Sequence, residues 1–415
     1  MSEVRKRFDL YLNTSLVHEQ KVAEAVIIED QGHVDKVAFR YVQSYLDSPH
    51  FHSLDPVALP KSDQPVVLKC KGAYPGILDD YLPDDWGRKV ITQLAFLRDH
   101  ARISAHSALD SLQYVGNSRI GALQWVEEGE KPNYESGSHI ENLHKAEEAA
   151  QRLDSPELSS EQIDEIHLLY LANAGTGVGG ARPKALLYDD TGKYLAKFNR
   201  LNKDIYNNAR IELACLKMAK AAGLNVGSGT IIEGIKGREV LLLERFDIDP
   251  QGRRKHLITV NALLKEAGTQ RDSGEHFRYN DIHQLIQRYS VNVVEDLKSL
   301  LRMMLFNRAI NNTDDHQRNF SMILTDDGYA LAPAYDMVPS VQTGAYHCAG
   351  FNYSGYPPLL KEAEKQGKIF GLEKTTIRNI VDEIRNAVEA WEGFAEEAGV
   401  CEKDMSIVKA YIKSE

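Results

Sequence analysis

The chain has 415 residues, 43% hydrophobic and 26% charged, which is enough apolar material for a real core and enough length for two domains or one large two-lobed body. Its net charge of -11 excludes a global attraction to phosphate backbones or anionic membranes and leaves room only for a local basic patch. Cys70, Cys215, Cys348 and Cys401 form no CxxC pair, the start "MSEVRKRFDLYLN" lacks an apolar leader core, and no run approaches the roughly 18 apolar residues of a spanning helix, so the expectation is a cytoplasmic protein with reduced thiols, no structural zinc and no membrane.

In chain order, the runs "FDLYLN", "AEAVIIED", "KVAFRYV" and "PVVLKC" read as short strands separated by Gly, Pro and Asp turns, and "GRKVITQLAFLRDHARI" reads as a helix. Together they predict a small α/β module. Residues 126–158 are polar and Glu-rich, with Pro and Gly near the front, and predict a linker followed by a solvated helix, with a domain boundary close by. Ser159 and Gln162 have capping-box spacing ahead of "IDEIHLLYLANAG", a helix ending at glycine. Gly-rich "GTGVGG" then leads into "ARPKALLYDD", the turn "DDTGK" and a second strand, "YLAKFN", that carries Lys197. Ile211, Cys215, Met218 and Ala222 share a face of the next helix, and "GSGTIIEG" and "REVLLLERFD" read as two more strands. From Ile258 onward the segments read as helical, and the stripe Ile377, Ile380, Val381, Ile384, Val388, Trp391 and Phe394 is core packing. The division predicted is 1–150, an N-terminal subdomain and linker; 151–250, a β-rich lobe; and 251–415, a helical lobe.

Gly175, Gly177 and Gly180 fit G-x-G-x-x-G, but a helix precedes them and a hairpin follows, the reverse of a dinucleotide-binding fold, and no Gly-Lys-[Ser/Thr] closes a P-loop. A glycine-rich hairpin over nucleotide phosphates fits this order; a plain glycine turn is the alternative. Lys197 lies on the strand after the hairpin, Glu212 on the following helix, and "LLLERFD" stops at Glu244 where two lobes would join. In "NNTDDHQRNFSM", Asp314 and Asn319 are five positions apart, the D-x-x-x-x-N spacing of a phosphotransfer loop, and Asp336 follows a strand-like run. Asn319 and Asp336 would suffice for Mg2+, which takes few protein oxygens beside phosphate and water. A polar turn is the plain alternative, and zinc on Asp314, Asp315 and His316 ranks well below because no further ligand motif accompanies them.

In this order "GTGVGGARPKALL", "LAKF", "LLLERFD", "NNTDDHQRNFSMIL" and "LAPAYDMVPS" resemble the HipA family of bacterial serine/threonine kinases, the toxin component of HipBA-type toxin-antitoxin pairs. "YLPDDWGRKV" and "GNSRIGALQW" extend the resemblance into the N-terminal module. It implies an α+β, two-lobed protein-kinase-like fold with an N-terminal α/β subdomain and a helical C-terminal lobe, and an ATP- and Mg2+-dependent kinase. By the resemblance Asp314 is the catalytic aspartate, Asn319 and Asp336 are metal ligands, and Lys197 is the ATP-phosphate lysine. Gly179, Gly180, Ala181, Arg182, Pro183 and Lys184 would cradle the nucleotide, Glu244, Arg245 and Phe246 would meet the adenine, and His316, Gln317, Arg318 and Tyr335 would line the site. The resemblance also implies a protein substrate, an aminoacyl-tRNA synthetase in some members, and a HipB-like antitoxin through which DNA is met indirectly. Where well-known members carry an autophosphorylated loop serine, this chain has Gly177, which leaves self-inactivation to Thr176, or control to a partner or another site. Two other readings stay open: a kinase-fold scaffold that binds nucleotide and an antitoxin-like partner without transferring phosphate, and a small-molecule kinase.

Overall fold

A computed structural model describes residues 3–70, 74–104, 106–115, 119–134, 137–154, 168, 171, 182–200, 204–265, 277–341 and 346–415. The N-terminal strands β1 (Val4–Leu12), β2 (Gln20–Asp30), β3 (His33–Tyr41), β4 (Val66–Lys69) and β5 (Gln124–Glu127) form one antiparallel sheet in the order β4-β3-β2-β1-β5. Strand alternation explains its buried face: Val37, Phe39 and Tyr41 turn inward at every second position. Gln31 and Gly32, both at positive φ, make the two-residue turn between β2 and β3, the geometry that matches the twist of paired strands.

The second sheet follows the order β6-β7-β8-β10-β9, with β6 (Ser138–His139), β7 (Lys184–Tyr188), β8 (Lys193–Phe198), β9 (Gly229–Glu233) and β10 (Glu239–Glu244). One face carries Ala185, Leu187, Ala196, Phe198, Val240 and Leu242 against helices α1 (Asp85–Asp99) and α2 (Leu143–Asp154). The opposite face carries Lys184, Lys197 and Leu241, which are paired across neighbouring strands, and looks toward α3 (Asn208–Ala221). The stretch expected to be a linker therefore holds β6, parallel to β7, and α2, whose Leu143, Ala146, Ala149 and Ala150 are buried. A narrow stripe of small residues inside a Glu-rich composition is enough to dock this helix, which is why composition alone reads it as solvated.

Helices α4 (Tyr279–Tyr289), α5 (Val293–Ala309), α6 (Lys374–Glu389), α7 (Trp391–Glu397) and α8 (Glu402–Lys409) build the third region and share one large core with α3. The helical run expected over 375–399 is split, with Ala390 as the joint between α6 and α7. Beyond Ile258 the strand-like run ahead of Asp336 supplies β13 (Tyr329–Leu331) of a small antiparallel sheet whose other strands, β11 (Leu257–Thr259) and β12 (Ser321–Leu324), lie where no strand was expected. Strands of three and four residues are too short for period-2 alternation to register in a sequence. Among the described residues no helix is long and apolar enough to cross a membrane.

Candidate functional site

Period-2 alternation sends Ala196 and Phe198 of β8 into the core beneath α1 and α2, so Lys197 emerges on the other face. Its Nζ lies 2.6 Å from Glu212 Oε1, on the first turns of α3, and 2.7 Å from Asp336 Oδ1. Burial alone would discharge the ammonium, but the two carboxylates outweigh it and hold the lysine well above its ordinary pKa. Asp336 is likewise driven upward by burial and downward, more strongly, by Lys197, and comes to rest at about 2. Its φ of +58° is a left-handed backbone turn, uncommon for an aspartate and typical of positions where function sets the geometry.

Lys197, Glu212 and Asp336 line a cavity of about 50 Å3, together with Leu195, Leu216, Gly227, Leu243, Ala334, Tyr335 and the connector Glu244–Phe246. The Phe246 and Tyr335 rings stack at 5.9 Å, and the Tyr335 hydroxyl donates to Arg318 O at 2.9 Å. The Arg245 guanidinium is committed elsewhere, buried in a double hydrogen bond to Asp247 at 2.9 and 2.7 Å, and Glu244 is exposed.

The run from Asn312 to Asn319 leaves the end of α5 and closes in a 3₁₀ turn, Gln317–Asn319. Asn319 turns inward; its Nδ2 donates to Asp314 O at 2.7 Å, and its buried Oδ1 has no hydrogen-bond partner among the described residues. A buried amide oxygen left empty-handed costs about 1–3 kcal/mol unless something occupies it, so this atom suits a ligand cation. One amide oxygen and the Asp336 carboxylate give too few protein ligands for zinc; they fit Mg2+, which keeps water and phosphate oxygens for the rest of its shell. Among the described residues no group of three His, Cys, Asp or Glu is placed to hold a metal.

Asp314 faces the other way, into a cleft of about 650 Å3 walled by Asp79, Pro83, Asp84, Asp85 and Arg88 of the N-terminal module and by Asn261, Phe277 and Cys348. Two thirds of its side chain is reached by solvent, yet the cleft walls thin that solvent, and together with Asp336 and Asp315 they raise its pKa against the pull of His316. His316, Gln317 and Arg318 line this cleft rather than the small cavity. Arg318 reaches Asp79 at 2.7 Å, and His316 Nε2 stands 4.0 Å from Asp314.

Lys184, opposite Lys197 across the β7–β8 pair, is held at 2.8 Å by Asp84, the N-cap of α1, and Arg182 is held at 3.1 Å by Asp204. Sequence reasoning missed Asp84 and Asp79; both come from a module about 100 or more residues away, and the only local signal was an acid before a helix. Pro183 O accepts from Phe198 N at 3.1 Å and closes the hairpin. Thr176, Gly177, Gly179, Gly180 and Ala181 lie outside the described residues, and of the helix expected over 163–175 Leu168 and Leu171 are described, both helical and buried in the core beneath α1 and α2.

A family model described as the HipA-like C-terminal domain matches residues 176–391, and one described as the HipA N-terminal domain matches residues 16–126. The putative kinase Y4mE of Sinorhizobium fredii is 27% identical over 197 residues, 46% of this chain and 40% of that protein. The serine/threonine-protein kinase toxin HipA of Shewanella oneidensis is 25% identical over 290 residues, 63% of this chain and 62% of that protein. In both cases the match spans less than two thirds of the relative's length. A solved structure, the HipA, HipB and operator DNA complex of the Shewanella oneidensis MR-1 toxin-antitoxin system, superposes with a TM-score of 0.67 at 19% identity, covering 97% of this chain and 94% of that one, so the two share a fold.

Proposed function

The chain belongs to the HipA family, and from that premise we propose that it is a serine/threonine protein kinase that transfers the γ-phosphoryl of ATP to a protein hydroxyl. The observation that carries the reading is the convergence of Lys197, Glu212 and Asp336 beside a loop whose buried Asn319 Oδ1 has no partner among the described residues. Adenine would enter the cavity beside Glu244–Phe246 and Tyr335, and the Lys197 ammonium, charged across the working pH range, would hold the phosphates. Asn319 and Asp336 would hold Mg2+, which supplies charge neutralisation on the phosphate oxygens. The acceptor hydroxyl would reach Asp314 through the larger cleft. Its oxygen bonds to the γ-phosphorus as the bond to the β-bridging oxygen breaks, ADP leaves, and the hydroxyl proton passes to the Asp314 carboxylate. The raised pKa of Asp314 suits that role, because a base closer to the operating pH takes the proton more readily.

The fold shared with the Shewanella HipA, HipB and operator DNA complex supports a HipB-like antitoxin partner, with DNA reached only through it, and the family resemblance alone suggests a protein of translation as the acceptor. The decisive experiment incubates the protein with labelled ATP and Mg2+, with and without cell extract, beside Asp314→Asn. Phosphate transfer is expected from the wild type and a loss of roughly 10²- to 10⁴-fold from the variant, with ATP affinity and melting temperature retained. ATP binding with no transfer by the wild type would instead identify a scaffold; wild-type rates in a folded Asp314→Asn protein would sink the assignment.

A further inference from the structure

Asp315, beside the catalytic candidate, has no exposed surface and, apart from its charge on Asp314, takes no part in the chemistry described above. Its carboxylate nevertheless accepts three hydrogen bonds: Tyr279 Oη at 3.0 Å and His347 Nδ1 at 3.0 Å on Oδ2, and Ala349 N at 3.0 Å on Oδ1. A carboxylate only accepts, so the His347 tautomer must carry its proton on Nδ1. The chain of bonds continues. Asn307 Nδ2 donates to Tyr279 Oη at 3.1 Å, Asn312 Nδ2 donates to Asn307 Oδ1 at 3.1 Å, and Asn312 Nδ2 also points to Asp336 O at 3.4 Å. This buried relay thus starts one residue from Asp314 and ends on the backbone of Asp336, and it crosses α4 and α5 on the way.

The described chain on either side of residues 342–345 is also fastened to the loop that carries Asp314. Before residue 342, Ser340 Oγ accepts from Thr313 N at 3.0 Å, and Ser340 N donates to Asn311 O at 2.9 Å. After residue 345, Cys348 N donates to Thr313 O at 2.9 Å, and His347 and Ala349 meet Asp315 as above. Five buried polar side chains committed to one another carry a heavy desolvation cost, which a purely structural core of Leu and Phe would avoid; such networks return that cost as a single defined geometry.

We infer that Asp315, Tyr279 and His347 are positioning residues: they set the separation between Asp314 and Asp336, and they make that separation depend on the segment Tyr346–Gly350 being docked. The inference rests on the kinase reading for its kinetic consequence, while the physical linkage stands apart from it. Asp314 must meet the acceptor while Asp336 meets the nucleotide, so a relaxed relay misplaces one against the other and lowers kcat. The Lys197 ion pair still holds the Asp336 carboxylate at the cavity, so the displacement falls mainly on Asp314 and KM for ATP stays near its wild-type value.

Tyr279→Phe removes the oxygen in the middle of the relay and keeps the ring, so the variant should fold. His347→Ala removes the clamp at its end, and His347→Asn restores a donor at the Nδ1 position. With the wild-type protein as reference, Tyr279→Phe and His347→Ala are expected to lower kcat by roughly tenfold or more with KM for ATP within about twofold, and His347→Asn to recover most of the rate. Hydrogen exchange provides a readout that needs no activity: His347→Ala should speed amide exchange in the peptides covering 312–319 and 334–338, and His347→Asn should slow it again. Unchanged exchange there in a folded His347→Ala protein, or an unchanged kcat, overturns the inference. A wild type that transfers no phosphate while exchange still spreads from His347 to residues 334–338 defeats the kinase reading and leaves the relay in place.

Discussion

Lys197 holds two carboxylates, Glu212 at 2.6 Å and Asp336 at 2.7 Å, from one buried ammonium. Removing one member of such a group strands the others, which costs far more than the group itself is worth. Lys197→Met is therefore expected to lower stability by about 3–5 kcal/mol and to weaken ATP binding, and Lys197→Met/Glu212→Gln to recover part of the stability but none of the binding. Thermal melts and calorimetric titration of both variants check this; equal melting points for the single and double variants would mean that Glu212 is not burdened by the loss. Legibility at this scale was uneven. Asp314, Asn319, Asp336 and Lys197 could be picked out by type and spacing, because chemistry restricts those types. The direction each side chain takes could not, and Arg318 shows why: beside Asn319 in sequence, it turns to Asp79 in the other module.

At the scale of elements, the short helix Gly76–Asp79 lies against the helix Val260–Leu263, and this contact fixes one wall of the large cleft. Gly76 is at the crossing, where a Cβ would run into the Ala262 carbonyl, a backbone atom that cannot swing aside. Gly76→Ala should therefore cost about 1–3 kcal/mol, measured by urea or thermal unfolding, and should reduce phosphate transfer by displacing Asp79 from Arg318. A neutral melt would show that the two helices part freely. Strand alternation in β8 and β10 was readable beforehand, whereas the docking of α2 and the three-stranded sheet β11-β12-β13 depended on partners distant in the chain.

At the scale of the molecule, the N-terminal module is bolted to the helical region by buried polar contacts: His256 Nε2 to Leu54 O at 2.8 Å, Tyr329 Oη to Ser53 O at 2.7 Å, and Thr259 N to Asp80 at 2.7 Å. Burial lowers the His256 pKa from 6.5 to about 4, while it raises Asp55 and Asp80 from 3.8 to about 6. The neutral form of His256 is the folded one, so its contribution is complete above the unfolded value of 6.5 and is lost as pH falls toward 4. The raised acids act in the opposite sense, losing their contribution as pH rises from 3.8 to 6, so the wild-type profile between is flattened. His256→Gln leaves the acids unopposed: its stability relative to the wild type should improve by up to about 3 kcal/mol between neutral and strongly acid conditions, read as melting temperature against pH. Parallel profiles for the two proteins would exclude His256 as the titrating group. Since these bolts join the N-terminal module to the helical region, and Lys184–Asp84 and Lys197–Asp336 join the β-rich lobe to each, one cooperative transition is expected by both near-ultraviolet dichroism and tryptophan fluorescence.

The sequence by itself determined the order of the chemical groups, the five-residue interval from Asp314 to Asn319, the face of the strand that carries Lys197, and membership of a family whose motifs occur in that order. These follow from local periods and from residue types that few other roles require. Only the tertiary structure decided that Asp314 opens to one cleft and Asp336 to another, that Lys184 is held by Asp84, and that Asp315 is locked to His347. Each of those outcomes is set by a partner brought in from another element, where burial makes an unpaired charge too costly to leave and no local period encodes which partner arrives.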